Sequence, residues 1–315
     1  MSTANRPTKA FVTLITTPSY LPGLLTLYHG MKAVNTKYPI VAMVPPQFDP
    51  ESKRILSRQG IALRVVQPLC PQETYVLDEF DARFTDTWTK LRVFELVEYD
   101  RVVLMDADMT VHKNLDDLMD MDLPEGHIAA AHVCACNPLK LKHYPSDWIP
   151  ENCAHTPMVA PDCLSHPPQI TPDSPRPYSQ LNSGLVVLRP SLERFEGIQN
   201  YLRTSPDVQT FKFPDQDLLS AVFRGQWKPL PYVYNGMKTH RNIHPNMWRD
   251  EDVRCLHYVI DKPWAPGGKA ASSPFASTHS MWWAQWEALE KEMNADDGPA
   301  ADKEGWKYVT KWVHG

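Results

Sequence analysis

Glycine is scarce in this chain, at 13 of 315 residues, below its average usage. A flexible glycine-rich linker is therefore a poor description of any long segment. Cysteine is scarce too. Six in 315 residues are too few for a disulfide scaffold. No window approaches the uninterrupted apolar length of a membrane-spanning helix, and the polar start MSTANRPTKA lacks the apolar run of a signal peptide. The expectation is a soluble, cytosolic protein with no membrane partner. Charge of one sign is also missing: the formal net charge is −5 with no long basic run, which gives nucleic-acid binding little electrostatic support. An anionic nucleotide would have to be held by a local metal ion or local Lys and Arg.

What the chain has is apolar content and proline. Hydrophobic residues make up 43%, enough for a sizeable core in one large domain with or without an appendage. The 30 prolines point to long ordered loops, and nine of them crowd between Pro145 and Pro177. From Cys134 to Pro177 periodicity is weak, so this stretch reads as a surface excursion that could flank a site.

The first hundred residues alternate strand and helix. Ala10–Thr16, Ile40–Val44, Ile61–Val66 and Arg101–Met105 read as strands. Between them, Leu24, Leu25, Tyr28 and Met31 fall at helical spacing after Pro22, and Asp49-Pro50 to Gly60 carries helix start and stop signals. A further helix opens at Thr85 or Asp86, with Trp88, Leu91, Phe94 and Val97 on one face. Such alternation predicts an α/β fold with a mostly parallel, doubly wound sheet. Ligands then lie beyond the carboxyl ends of the strands. Later elements are a strand from Gly184 to Leu188 preceded by Asn182-Ser183, helices at Pro190–Arg203 and Pro214–Phe223, a strand from Val253 to Leu256, and a Trp-rich helix from Met281 to Met293. We place the main domain at 1–264 and a linker with a helical tail at 265–315. The tail is a candidate lid, homodimer contact or tether.

Four D-x-D pairs occur, but only Asp106/Asp108 directly follows an apolar strand, RVVLM. Strand residues i and i+2 project to one side, so two mutually repelling carboxylates would sit together at the sheet edge, where a cation is their natural partner. Hard oxygen ligands suit Mn²⁺ or Mg²⁺ bridging a diphosphate. The plain alternative is that the pair caps a turn. His257 closes an apolar strand and could complete a metal site, with Lys262 near a phosphate. Taken singly, His257 also reads as a core histidine, Asn182-Ser183-Gly184 as a turn and Asp215-Gln216 as a helix cap.

The ordered set AFVTLITTPSYLPG, TWTKLR, VLMDADM, LNSGLVVL, FPDQDLL, PLPYVYN and HY…KPW spans Ala10 to Trp264. It resembles the glycogenin and galactinol synthase group of retaining glycosyltransferases, family 8. The resemblance implies a GT-A (Rossmann-like) nucleotide-sugar-binding fold, a UDP-hexose donor and a Mn²⁺ cofactor. It also implies a homologous site. Asp106, Asp108 and His257 would be the metal ligands. Thr13, Leu14, Thr16 and Tyr20 would contact uridine, with Lys90, Asp106, Ala107, Asp108, Asn182, Ser183 and Lys262 completing the donor site. Asp215 and Gln216 would lie at the reacting side of the hexose. The loop Tyr258-Val259-Ile260-Asp261 is shorter than the family's and lacks its usual glycine, and His132 stands where relatives often carry an aspartate.

Within the group, the stretch from Asn235 to Arg249 contains no tyrosine, which argues against self-glucosylation of the glycogenin kind. Val97-Glu98-Tyr99, Cys134-x-Cys136, Cys153 with Cys163, and Ile243-His244-Pro245 sit closer to galactinol synthases. That resemblance implies UDP-galactose as donor, with UDP-glucose the alternative, and a small polyol or sugar acceptor such as myo-inositol. Nucleotide-sugar hydrolysis, and UDP-sugar binding with little turnover, remain as other readings. Cys134, Cys136, Cys153 and Cys163 could supply four thiolates to a structural Zn²⁺, but the CxC spacing and long gaps are not standard for one. The expectation for them is free, partly buried thiols.

Overall fold

The structure, a computed structural model, describes residues 8–71 and 87–315. The expected helix start at Thr85 or Asp86 lies outside the described residues. Its continuation is a 3-10 run, Thr87–Glu95. Trp88, Leu91 and Phe94 are buried there, whereas Val97 is exposed.

Strands β1 (Lys9–Leu14), β2 (Ile40–Val44), β3 (Ala62–Val65), β4 (Arg101–Met105), β6 (Ile128–His132), β7 (Leu181–Leu188) and β8 (Trp227–Pro229) form a seven-stranded sheet among the described residues, in the order β3-β2-β1-β4-β7-β6-β8. Four of its six neighbouring pairs are parallel; β7 runs antiparallel to both β4 and β6. The inner strands β1, β2, β4, β6 and β7 are largely apolar on both sides because both faces are covered, whereas the edge strand β3 is mostly exposed. Phe11, Ala42, Val44, Val103, Met105, Leu185 and Val187 enter one core, and Ala10, Val12, Val41, Met43, Val102, Leu104, Val186 and Leu188 the other. This is the period-two alternation of a strand used twice.

The first face is covered by helices α1 (Leu21–Ala33) and α2 (Pro50–Arg58). Asp49 caps α2 through its carboxylate, which accepts from Ser52 N at 2.7 Å, and Gly60 follows the helix at φ +91°. Helices α4 (Leu192–Thr204) and α5 (Pro214–Val222) cover the second face with the 3-10 run.

A second, three-stranded sheet sits at the carboxyl end of β4. It consists of β5 (Met109–Val111), β10 (Cys255–His257) and β9 (Gly236–Met237), in the order β5-β10-β9. His257 pairs with Met109 and Met237 in register. This small sheet carries the late histidine back to the early aspartates. A short helix, α3 (Asp117–Asp120), lies between β5 and β6, and helix α6 (His240–Ile243) comes after β9.

The tail helices α7 (Ala276–Met293) and α8 (Lys303–Val309) share the first core with α1. Trp282 stacks on Trp286 at 5.2 Å, and Trp286 meets Trp306 at 4.3 Å. Helix α7 begins at Ala276, earlier than the expected Met281. At the other end of α1, Gly23 approaches the turn after β4 so closely that a Cβ would lie 2.4 Å from Ala107 O. Only glycine allows that contact.

Candidate active site

One cavity of ≈ 420 Å³ opens beyond the carboxyl ends of β1 and β4, within the roughly 300–1,000 Å³ usual for small-molecule sites. Leu14, Thr16, Tyr20, Lys90, Asp106, Ala107, Asp108, Asn182, Ser183, Asp215, Gln216, His257 and Lys262 all line it. Thr13 does not. It lies fully buried behind the wall. Residues far apart in sequence meet here because β4, β7 and the small sheet all reach one edge.

Asp106 and Asp108 leave β4 together. His257 Nε2 lies 3.4 Å from Asp108 Oδ1 and 3.8 Å from Asp106 Oδ2. One ligand atom from each of the three lies within 4.8 Å of the other two, a spacing able to hold a metal ion. The imidazole is aimed by its other nitrogen: Nδ1 meets Asn235 Oδ1 at 2.9 Å, which turns Nε2 toward the carboxylates. Asn235 is itself fixed, because its Nδ2 donates to Asn182 Oδ1 at 2.8 Å. Asn182 Oδ1 also accepts from Gly184 N at 3.0 Å, and Asn182 Nδ2 donates to Gln216 Oε1 at 3.2 Å. A chain of amides thus runs from Gln216 to the histidine. Gly184 is required beneath it, since a Cβ there would meet His257 Cε1 at 2.4 Å.

Asn182 and Ser183 lie inside β7, not in a turn ahead of the strand as the sequence suggested. The strand starts early, at Leu181, because that residue pairs with His132 across a β-bulge. Sequence reasoning missed Asn235. Its signal was the tyrosine-asparagine ending of PLPYVYN, just before β9.

Two lysines balance the carboxylates. Lys90 Nζ lies 2.7 Å from Asp106 Oδ1 and 2.9 Å from Asp215 Oδ2. Burial opposes its charge, but the two carboxylates outweigh burial and hold the amine above its ordinary value. Lys262 Nζ donates to Asp108 Oδ2 and to Tyr258 O. For Asp108, burial alone would raise the carboxyl pKa; Lys262 and His257 overcome it and hold Asp108 well below the usual carboxylate range. Asp106 moves the other way, because burial and the neighbouring Asp108 outweigh the pull of Lys90. Asp108 is thus favoured as the carboxylate, with the Lys262 amine against it.

Ile260, in the loop without the family's glycine, adopts φ +67° and lines the cavity. A β-branched residue in this left-handed region is unusual and costs roughly 1–2 kcal/mol. The chain therefore keeps a glycine-like backbone here without the glycine.

The far wall comes from the proline-rich excursion. Leu139, Tyr144 and Trp148 line the cavity, with Phe213 stacked on Trp148 at 5.0 Å. These aromatics had no readable pattern in the sequence. His132 stays out of the cavity lining, buried, with Nε2 donating to Pro168 O at 2.8 Å.

The family model for glycosyl transferase family 8 matches residues 11–266. Galactinol synthase 2 of Arabidopsis thaliana is 30% identical over 287 residues, covering 87% of this chain and 80% of its own. Galactinol synthase 2 of Ajuga reptans is 29% identical, covering 88% and 91%. Among solved structures, the galactosyltransferase LgtC in complex with donor and acceptor sugar analogs superposes with a TM-score of 0.60 at 14% identity, over 95% of this chain and 99% of that one. The architecture is the GT-A fold.

Proposed function

The chain belongs to glycosyl transferase family 8, and from that premise we propose that it transfers a hexosyl group from a UDP-hexose to a hydroxyl of a small polyol or sugar, with retention at the anomeric carbon. The donor we favour is UDP-galactose and the acceptor myo-inositol, as the names of the galactinol synthase relatives suggest. Residues 1–264 would form the transferase domain, with 265–315 as a helical appendage.

The observation that carries this reading is the convergence of Asp106, Asp108 and Nε2 of His257 in one cavity that Lys262, Asp215 and Gln216 also line. Two carboxylates and a neutral imidazole suit Mn²⁺ or Mg²⁺, so these three residues would hold the metal. When bound, the ion supplies Lewis-acid stabilisation of charge on the departing diphosphate. Lys262 adds a second positive charge on the same side. Leu14, Thr16 and Tyr20 line the uridine end. Asp215, fixed by Lys90, and Gln216, fixed by Asn182, orient the hexose and face the positive charge that develops as its glycosidic bond opens. The acceptor hydroxyl enters from the face that UDP leaves and gives its proton to a phosphate oxygen.

The test is UDP release from UDP-galactose and UDP-glucose, each with and without Mn²⁺ and myo-inositol. Metal-dependent release from UDP-galactose that rises with myo-inositol supports the whole reading. Release from UDP-glucose that ignores inositol overturns the donor and acceptor assignments. Release that ignores every acceptor makes the protein a hydrolase, and binding without release makes it a sensor.

A further inference from the structure

We propose that Cys134, Cys136, Cys153 and His244 form a second metal site, a closed tetrahedral centre for one structural Zn²⁺, separate from Asp106, Asp108 and His257. The Sγ atoms of Cys134, Cys136 and Cys153 lie 3.5, 3.5 and 3.7 Å from His244 Nε2. All four ligand atoms fall within 4.8 Å of one another. In a tetrahedron with Zn–S of about 2.3 Å and Zn–N of about 2.0–2.1 Å, each S···N edge is about 3.6 Å. Three sulfurs at nearly equal distance from one ring nitrogen fit those edges. Hydrogen bonding does not account for them, because Nε2 has either one proton or one lone pair and can serve one sulfur well. None of the three cysteines is in a disulfide. Soft thiolates with one imidazole select Zn²⁺ over the harder cations that suit the aspartate site.

The location gives the site a purpose. Cys134 and Cys136 follow β6, Cys153 closes the 3-10 turn Pro150–Asn152 of the proline-rich excursion, and His244 ends α6. Three segments that share no sheet are thereby tied at one point. The local core is too small to do this by burial: it consists of Val133, Ala135, Cys136, Trp148 and Cys153. Small cores are where a structural metal substitutes for apolar packing. The tied segments include the cavity wall at Cys134, Tyr144 and Trp148, so the ion would hold the wall that faces the aspartate site. Cys163, the fourth candidate from the sequence, lies elsewhere, with its Sγ directed at Met247 O at 3.7 Å. His244 takes its place. Zn²⁺ entry displaces the three thiol protons to solvent, and no other reactant is needed.

The experiment is elemental analysis of the purified full chain after dialysis, with the Asp108→Asn, Cys153→Ser and His244→Ala variants alongside. About one zinc per chain is expected in the unmodified protein and in Asp108→Asn, and loss of it in the other two. Should those two fail to fold, Co²⁺ added to the unmodified, chelator-stripped chain decides: sulfur-to-cobalt charge-transfer bands with intense visible absorption are expected from a tetrahedral thiolate site. Full zinc retention in Cys153→Ser overturns the proposal. So does zinc lost from Asp108→Asn, or a Co²⁺ complex without charge-transfer bands.

Discussion

The two clusters of ligating side chains differ in almost every physical respect. Asp106, Asp108 and His257 present hard oxygens and one imidazole on the wall of an open cavity, with Lys90 and Lys262 against the carboxylates. Cys134, Cys136, Cys153 and His244 present soft sulfurs, and three of the four are buried. The first opens onto the cavity, as the proposed catalytic metal site would require; in the second the protein supplies all four proposed ligands, as in a structural site. The first cluster is assembled by regular strands, β4, β5 and β10, whereas the second is assembled by loops and the end of a short helix. An open site needs a rigid frame because its ligand set is incomplete. A closed site can itself supply the rigidity that irregular segments lack.

If that contrast is right, damage to each cluster has a different signature. The largest effect is expected for Asp108→Asn, which removes a ligand charge from the open site: UDP release falls by at least about 100-fold, some 2.7 kcal/mol of barrier, while zinc content is kept. A loss under tenfold breaks the assignment of Asp108 to the metal. Cys153→Ser is expected to do the reverse. It lowers the melting temperature by about 5–10 °C, the scale of losing a few kcal/mol in a chain of this size, and turnover falls only as the wall loosens. Calorimetry on both variants checks the pair, and equal melting shifts would erase the distinction. Asn235→Ala acts on the open site at one remove. With Nδ1 of His257 unheld, the metal concentration for half-maximal activity rises about 10–100-fold, and activity recovers at saturating metal. A fall that metal does not rescue would mean Asn235 serves the substrate and not the histidine.

The smallest effect lies outside both clusters. His112 follows β5 and its Nε2 meets Thr110 Oγ1 at 2.8 Å. Burial pushes this imidazole down to about 4 from 6.5. The unfolded chain therefore takes up a proton near pH 6.5 while the folded one does not. Stability is fully held above that pH and declines as the pH falls toward about 4. His112→Gln should flatten the decline by about 1–3 kcal/mol, measured as chemical denaturation from about pH 4 to 7, with zinc content and metal-dependent activity unaltered at neutral pH.

The legibility of the two clusters differs for the same physical reason. Asp106 and Asp108 could be picked from four D-x-D pairs because an apolar strand precedes them, and strand geometry fixes where i and i+2 point. The helix that carries Asp215 and Gln216 was readable from the proline that opens it, but their place beside the site rested on the family resemblance alone. Thr13 was named with its neighbours, but strand alternation turns it away from the cavity into the interior. Asn182 and Ser183 belong to β7, whose pairing with β6 through a bulge no local pattern announces. The cysteines had no standard spacing, and His244 had no reason to be grouped with them. Tyr144, Trp148 and Phe213 come together across the excursion with no period to read.

By itself the sequence determined the alternation of strand and helix, the two-sided apolar strands and the carboxylates at the end of β4, because these depend on residue order along regular elements. Only the tertiary structure decided that Asn235 aims His257, that α7 and α8 complete the core over α1, and that His244 rather than Cys163 meets the three thiols. Those outcomes depend on segments whose spacing in the chain is unrelated to their spacing in the fold. They are set by sheet pairing and loop closure, which carry no local periodicity.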